Sequence, residues 1–387
     1  MRNLAASPSK TLRAIAFEQP YHSPMDIYLD QITSLHITRA VLCDQSLGLV
    51  TAEENAPTAI DTQRFNLSRL GMGELLAYLQ VPESRSLGVV VPHASDRIRT
   101  AGTRCSVDSS TKRKNAYLQL ASVDDEHPSA LVPPSTCVFV QSPPKIVLSM
   151  AKTIARHVHA QELSREVGVL RLVKLCLELC GTYAHDPFDP LCGDVTYKTS
   201  PLTNIQQIRD FLEPHGREHG LRMAREAANL AYDLSGSPQE SFLGPALFYP
   251  SRYGGLTLCD YKANEELQLT KAEKALINWR TITPDFQLVG YQAAVEYLGH
   301  VHVEGDNPRI DHKRRLDYQT LGKRVFEFWY DDVKTISALN QSALRLVAAI
   351  EQSDGPGARK RFKQRVSSKE FLAKQKALFE VFRPWLR

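Results

Sequence analysis

Asp285 and Glu296 flank a short turn in the segment PDFQLVGYQAAVEYLGHVH, which spans residues 284–302. A two-residue connection at Gly290-Tyr291 makes position 289 face position 292 and position 285 face position 296. Directly opposed residues on one face of a hairpin have Cβ atoms about 4.5–5.5 Å apart, a distance at which two carboxylates repel each other. A divalent cation removes this repulsion, because Mg²⁺ is held by one or two carboxylates together with water and substrate phosphate. The spacing predicts a metal site for phosphate chemistry, provided that the register does not slip by one residue.

Two histidines follow Glu296 closely. Strand alternation places His300 and His302 on the face of Glu296 if the strand continues past Gly299. A histidine beside a metal ion can take a proton from the attacking water or give one to the leaving oxygen. The alternative is that both histidines lie in a loop beyond the strand, and for His300 we favour this interpretation. A further alternative is that HVHVE (300–304) presents two histidines and a glutamate to one metal, which would indicate a different metalloenzyme.

The elements around these residues predict a mixed α/β (α+β) fold. SPQESFLGPALF is typical of a helix with Ser237 as its N-cap and Glu240 completing a capping box. PRIDHKRRLDYQTLG is typical of a helix that ends at Gly322. Strands are predicted at LTL (256–258), PDFQLV (284–289), AAVEYL (293–298) and RVFEFWY (324–330). Together these elements predict a mixed sheet flanked by helices.

Changes in composition divide the chain into five segments. Short β-prone runs fill the amino-terminal part, apolar residues at helical spacing follow, and SDGPG at 353–357 marks a late break. The predicted segments are a flexible leader (1–18), a mixed α/β N-terminal domain (19–145), a helical connector and loop (146–205), a second α/β domain (206–352) and a basic C-terminal helix (353–387).

Composition indicates a folded protein without a membrane span. The 387 residues are 43% hydrophobic and 23% charged, which suits two or three domains. No apolar run approaches eighteen residues, and the start of the chain has no apolar core of a signal peptide. Seven cysteines, an odd number, fit a reducing cytoplasm better than a disulfide framework, so we expect a cytoplasmic protein.

The basic charge is concentrated in the carboxy-terminal segment. Residues 355–387 contain ten Lys/Arg and two Asp/Glu, a balance of +8, so the rest of the chain sums to −4 within the formal total of +4. A basic tail on a mildly acidic body indicates contact with a polyanion. The alternative is a solvated helix whose lysines lie in water.

The segment PDF…VEYLG-x-VH…RIDHKRRLDYQTLGKRVFEFWYDDV resembles the very-short-patch-repair endonuclease-like branch of the PD-(D/E)XK nuclease superfamily. The resemblance covers residues 221–335 and lies in the ordered combination of an Asp, a hairpin, an apolar-Glu-aromatic strand, a histidine, a helix with Asp and Arg, and a final strand. It implies a restriction-endonuclease-like mixed sheet and Mg²⁺- or Mn²⁺-dependent hydrolysis of phosphodiester bonds in DNA.

The resemblance also assigns roles to single residues. It implies that Asp285 and Glu296 bind the metal, that Glu240 is the family's early helical glutamate, and that His302 is its histidine. It implies that the charged helix faces substrate phosphate or supports the site, through Asp311 and the candidate DNA-binding residues Arg309, Lys313, Arg314 and Arg315. The alternatives are structural: a capping box accounts for Glu240 without a catalytic role, and Arg314 and Arg315 can lie on a solvent-exposed face of the helix.

One position departs from the family pattern. Many members have lysine, and this branch often aspartate, two residues after the glutamate, where this chain has Leu298. Leucine cannot polarise water or bind a metal, so either His302 or a basic residue of 313–315 substitutes, or the domain binds DNA without cutting it.

The amino-terminal segments IYLDQITSLHITRA and CVFVQSPPKIVLSMA are similar to an abortive-infection antitoxin-like region. This similarity implies a role in defence or mobile-element biology.

Three hypotheses remain open from the sequence. The first is a Mg²⁺-dependent DNA endonuclease, the second is an inert nuclease-fold DNA-binding regulator or antitoxin-like protein, and the third is a structural partner-binding protein. The oligomeric state is open, with a homodimer as one form. A zinc site formed by Cys176, Cys180, His185 and Cys192 is an alternative, although these residues lack the usual paired spacing. The chain has no nucleotide-binding, dinucleotide-binding, zincin or α/β-hydrolase motif.

Overall fold

The computed structural model describes residues 25–44, 46–51, 57, 72–78, 87–99, 103–108, 116–123, 129, 131–133, 136–299 and 307–382 of the chain. The described part is mixed α/β, with 49% helix and 19% strand, so the fold class predicted from the sequence is confirmed. The chain divides into two compact units, Met1–Ser142 and Pro143–Arg387.

The first unit is built on a six-stranded mixed sheet with the strand order β2-β5-β6-β1-β3-β4. Its elements are β1 (Met25–Leu29), α1 (Gln31–Cys43), β2 (Leu47–Thr51), α2 (Gly73–Tyr78), β3 (Leu87–Val91), β4 (Thr103–Val107), β5 (Tyr117–Ser122) and β6 (Thr136–Gln141), with a short 3₁₀ turn at Ala94–Asp96.

Parallel pairing in this sheet joins β1 to β6 and β3 to β4, and the other neighbouring strands are antiparallel. Apolar residues of the central strands are fully buried, among them Ile27, Leu29, Val89 and Val140. β3 is buried along its whole length, as expected for a β-branched run in the middle of a mixed sheet.

The second unit combines helices with a four-stranded and a two-stranded sheet. Its elements are α3 (Pro143–His159), α4 (Arg165–Leu179), β7 (Tyr183–His185), β8 (Val195–Tyr197), α5 (Ile205–Leu212), α6 (Leu221–Leu230), α7 (Pro238–Phe248), β9 (Tyr261–Ala263), α8 (Lys271–Leu276), β10 (Phe286–Leu288), β11 (Ala293–Leu298), α9 (Asn307–Thr320), β12 (Arg324–Trp329), α10 (Tyr330–Val333), α11 (Ile336–Asp354), α12 (Ala358–Val366) and α13 (Lys369–Phe382), with a 3₁₀ turn at Ser251–Tyr253.

The four-stranded sheet has the order β12-β11-β10-β9. β9, β10 and β11 form an antiparallel meander, and β12 returns parallel to β11 after the crossover helix α9. A parallel connection of this kind needs a crossover of a dozen or more residues, which α9 supplies. The sequence predicts α7, the hairpin β10–β11, α9 and β12 in this order, but it does not predict the helix α8 at Lys271–Leu276.

The predicted strand at 256–258 is wrong. The backbone N–H groups of Leu256 and Leu258 donate to the carbonyl oxygens of Ala246 and Leu247, at the end of α7, at 2.9 and 3.1 Å. Those bonds satisfy carbonyls that a helix end leaves without an internal partner, so the segment continues the helix cap. The strand that pairs with β10 is β9, which begins at Tyr261.

α7 packs closely on the meander through a glycine. A Cβ atom at Gly244 would lie 2.6 Å from the hydroxyl of Tyr232 and 2.8 Å from the ring of Phe286, so a larger residue would push the helix away. Phe286 is fully buried in β10. This close approach brings the amino-terminal turn of α7, which carries Glu240, to the sheet.

Within the described residues, no helix has the length and apolarity needed to span a membrane.

Candidate active site

The hairpin β10–β11 has the register that the sequence predicts. Gln287 pairs with Ala294 and Phe286 with Val295, so the next positions outward, Asp285 and Glu296, oppose each other. The turn closes with a hydrogen bond from the N–H of Tyr291 to the carbonyl of Leu288, and Gly290 has φ +84°. Glycine adopts this left-handed conformation without strain, which allows the tight connection.

Glu296 is a buried carboxylate with two donors from α9. Its side chain is 7% exposed, and its Oε1 accepts hydrogen bonds from Arg314 Nη2 at 3.0 Å and from the Tyr318 hydroxyl at 2.5 Å. Arg314 and Tyr318 are four residues apart on α9, so they lie on the same face of that helix. The helix therefore supplies one charge and one neutral donor to the glutamate.

Asp285 is held against the neighbouring strand by its backbone contact. Its Oδ2 accepts a hydrogen bond of 2.6 Å from the N–H of Tyr297, the residue after Glu296. Arg314 also donates to the carbonyl of Thr283, two residues before Asp285. Both contacts keep the aspartate at the Glu296 end of the hairpin.

Glu240 caps its helix and also belongs to the acidic cluster. Ser237 is the N-cap of α7, as predicted, and its Oγ accepts from the N–H of Glu240 at 3.1 Å. The carboxylate of Glu240 accepts from the N–H of Gly236 at 2.7 Å, one residue before the donor of a regular capping box. Glu240 thus forms local hydrogen bonds at the start of α7 and also lies close to Asp285 and Glu296.

These side chains surround one cavity of about 190 Å³, large enough for an ion with several water molecules. Its wall contains Tyr297, Val325 and Leu298, the last at the position where the nuclease pattern has a polar residue. The charged residues of the cavity are Glu240, Asp285, Glu296, Glu327, Arg314 and Arg315.

Acids outnumber basic residues in this cavity by four to two. Burial and the charges of Asp285 and Glu296 raise the pKa of Glu240 well above its usual range. Burial and the charge of Asp285 raise the pKa of Glu296 to about 8, although Arg314 and Tyr318 act in the opposite direction. When all four acids are ionised, the two arginines leave a charge of −2, which a divalent cation would balance.

The donor set suits a hard cation, because every candidate ligand at the hairpin is a carboxylate oxygen. In the described residues, no three His, Cys, Asp or Glu side chains are arranged to hold one metal ion. An ion at this cavity would therefore be held by two carboxylates, Asp285 and Glu296, and complete its coordination with water and phosphate oxygens.

The predicted basic residues of α9 lie in different surroundings. Arg314 contacts Glu296, and Arg315 forms a two-pronged ion pair with Glu327 through bonds of 2.7 and 2.8 Å. Lys313 is exposed to solvent. The side chains of Arg309 and Asp311 lie outside the described part of the structure, although the backbone of both is helical. His300 and His302 also lie outside the described residues.

Sequence reasoning missed Tyr318 and Glu327. Tyr318 could have been found from helical periodicity, because it follows Arg314 by four residues and so lies on the same face of the helix. Glu327 is the direct partner of Glu296 in the parallel pair β11–β12, and no local pattern reveals this register.

The alternative of a zinc site finds no support. Cys176 and Cys180 are buried in the carboxy-terminal end of α4, whereas Cys192 is exposed. Burial raises the pKa of the Cys176 thiol to about 12, which disfavours the thiolate that zinc requires. The two cysteines are core residues of the second unit.

No protein-family model, curated protein or solved structure matches the chain.

Proposed function

We propose that the chain is a Mg²⁺-dependent endonuclease-like protein that hydrolyses phosphodiester bonds in DNA. The observation that supports this most is the convergence of Glu240, Asp285 and Glu296 on one cavity, where their closeness raises the pKa of Glu240 and Glu296. Structural strands avoid directly opposed carboxylates, since like charges at that distance destabilise the pair. Mn²⁺ would serve in place of Mg²⁺ with the same oxygen donors.

Asp285 and Glu296 would hold the ion, which when bound polarises the phosphate and lowers the pKa of the attacking water. Tyr318 fixes the orientation of Glu296 by donating to Oε1. Arg314 neutralises the same oxygen, and 38% of its side chain remains exposed, which leaves donors for a phosphate oxygen. The order of elements from α7 to β12 agrees with the resemblance to the PD-(D/E)XK superfamily.

A second candidate function is binding of DNA without cleavage, by an inert nuclease-like domain. Two observations favour it. Leu298 lines the cavity at the position that is polar in active members of the resembled family. The guanidinium of Arg314 already supplies a positive charge to Glu296, which weakens the demand for a metal ion.

The proposal also includes a cytoplasmic location and a role in defence or mobile-element biology. Both rest on the composition of the chain and on the similarity of its amino-terminal region to antitoxin-like proteins.

Metal binding and strand cleavage, measured together, separate the two candidates. Supercoiled plasmid is incubated with the full chain and Mg²⁺ or Mn²⁺, and metal binding is measured by calorimetry. The endonuclease predicts metal-dependent nicking that is lost, by a factor of at least about 100, in Asp285→Asn and Glu296→Gln. Glu370→Gln, which removes an exposed acid on α13, is the matched control and retains activity.

Each result has a defined meaning. Plasmid binding without nicking, with no dependence on Asp285, supports the inert DNA-binding protein. Absence of both nicking and plasmid binding contradicts the two candidates together and leaves the structural partner-binding hypothesis.

A further inference from the structure

A second, larger cleft lies beside the carboxylate cavity. It has a volume of about 490 Å³ and is bounded by α9, the edge strand β12 and α11. Four cations and one acid line it: Arg315, Lys323, Arg324, Arg345 and Glu327. Their charges sum to +3, and we call this cleft the basic groove.

Neutral partners orient two of these cations. Lys323 Nζ donates to the side-chain carbonyl of Gln292 at 3.1 Å, and Arg324 Nη1 donates to that of Gln352 at 2.7 Å. An amide oxygen fixes the direction of a cation without cancelling its charge. Glu273 on α8 is the acid that interacts with the charge of Lys323 from outside the groove. Hydrogen bonds from Thr270, followed by the charge of Lys323, lower the pKa of Glu273.

The other two cations have acidic partners. Arg315 is paired with Glu327, and Arg345 Nη2 lies 3.2 Å from Asp332. The side chain of Arg345 remains 59% exposed, so part of its guanidinium faces solvent. Exposed pairs of this kind contribute little energy and exchange partners readily when another anion arrives.

The basic groove is continuous with the carboxylate cavity at one end. Arg315, Tyr318, Val325 and Glu327 line both. The pair of Arg315 and Glu327 forms the boundary between a region of positive charge and the acidic cluster around Glu296.

The groove lining includes Gln352 near the end of α11, and the basic helix α12 follows α11 in the chain. Gln352, which binds Arg324, follows Glu351, and Glu351 pairs with Arg359 Nε at 2.6 Å. α12 continues with Lys360 and Arg361, both exposed. Basic residues therefore line the groove and occur again in the helix that follows α11 in the chain.

The shape and charge of the groove fit a phosphodiester backbone. Cations at successive positions along a cleft match the repeated charge of a nucleic-acid strand, whose phosphates dominate binding affinity. Partly exposed apolar residues, Phe326, Ala348 and Ala349, lie among the cations and offer contact for sugars or bases.

We propose that the basic groove binds the phosphodiester backbone of a nucleic-acid strand and directs it toward the Glu296 cavity. The direction of the strand rests on the proposed function, whereas the binding itself does not. The Lys323 and Arg324 side chains contact phosphates, and Arg345 extends the contact.

Salt dependence of binding in EDTA tests the groove without catalysis. A fluorescein-labelled single-stranded oligodeoxynucleotide is titrated with the full chain, and anisotropy gives the binding constant at several salt concentrations. Loss of two phosphate contacts in Lys323→Gln/Arg324→Gln lowers the slope of log Kobs against log salt by about 1.4. Lys369→Gln/Lys376→Gln removes two exposed charges from α13 and is the matched control, with an unchanged slope.

Equal slopes for the groove variant and the wild type, or failure of the wild type to bind the oligonucleotide, overturn the proposal. If the double variant does not fold, Arg345→Gln tests the same surface with an expected slope change of about 0.7. EDTA removes any metal, so the binding assay does not depend on cleavage. Absence of nicking in the plasmid assay together with intact oligonucleotide binding counts against the endonuclease alone. Equal salt slopes for the groove variant and the wild type count against this inference alone.

Discussion

Glu296 stands in a strand whose other positions are apolar, and its surroundings explain how the fold tolerates it. A hydroxyl and a guanidinium both donate hydrogen bonds to its Oε1, although the side chain is only 7% exposed. A buried charge without such partners would cost several kcal/mol. Burial and the charge of the opposing Asp285 act against these donors, and together they raise the pKa of Glu296 above its usual range.

The raised pKa of Glu296 predicts a stability that depends on pH in metal-free buffer. A carboxyl whose pKa rises from 4.5 to about 8 on folding favours the folded state below pH 4.5, and this contribution is lost as the pH rises to 8. At about 1.4 kcal/mol per pKa unit, we expect a loss of a few kcal/mol at most. Chemical denaturation of the wild type and of Glu296→Gln between pH 5 and 8 measures it.

The glutamine variant is the control for all other titrating groups. Its free energy of unfolding lacks the Glu296 contribution, so the wild-type curve should fall relative to it as the pH rises. Parallel curves for the two proteins would contradict the raised pKa. Addition of Mg²⁺ should restore wild-type stability at pH 8, because a bound cation favours the ionised carboxylate.

At the scale of elements, one buried aspartate joins α9 to the segment before β10. Asp317 is 1% exposed and accepts from the N–H of Asn278 at 2.9 Å, from its side-chain amide at 2.7 Å, and from the N–H of Trp279 at 3.2 Å. The same helix binds Thr283 and Glu296 through Arg314. α9 thus positions both carboxylates of the hairpin.

Asp317→Ala removes this connection, and we expect the free energy of unfolding to fall by about 2–3 kcal/mol, the usual value for hydrogen bonds to a charged group. Amide hydrogen exchange should increase in residues 277–281, which lose their anchor. Asp331→Ala, which removes an 80% exposed acid, should change stability by no more than about 0.5 kcal/mol. Equal effects of the two substitutions would contradict the anchoring role.

At the scale of the whole molecule, all described candidate-site residues and the basic groove belong to the unit Pro143–Arg387. This unit contains its own apolar core, with Leu172, Phe242, Phe286 and Leu339 all fully buried. Units with a separate core generally fold without their neighbours.

A fragment of residues 143–387 should therefore fold cooperatively and retain salt-dependent oligonucleotide binding with the slope of the full chain. Circular dichroism during thermal unfolding and the anisotropy titration measure these two properties. A cooperative melt with lost binding would show that residues before 143 contribute to the nucleic-acid surface. The full chain measured in parallel is the control.

Much of the site region was predictable because it is local. The β-prone run AAVEYL predicted β11 with its observed bounds, and the predicted register, which opposes Asp285 and Glu296, is confirmed. The predicted turn at Gly290-Tyr291 is displaced by one residue, because the hydrogen bond from Tyr291 to Leu288 centres the turn on 289–290. The N-cap at Ser237 followed from a short motif in the same way. Backbone sterics and side-chain alternation act over a few residues, so a single sequence contains them.

The segment 256–258 shows where local pattern fails. Its alternation is that of a short strand, yet its N–H groups bind the last carbonyls of α7, ten and eleven residues earlier. The unsatisfied carbonyls of a helix end compete with sheet pairing, and only the folded arrangement decides which partner is reached.

The sequence by itself determined the two opposed acids and the elements that carry them, because turn length and strand period fix these within one hairpin. The tertiary structure decided what surrounds those acids. Arg314 and Tyr318 reach Glu296 from positions 18 and 22 residues later, and Glu327 arrives through parallel pairing. These contacts depend on how α9 packs over the sheet, which is set by burial across the whole unit and has no signature in a short stretch of chain.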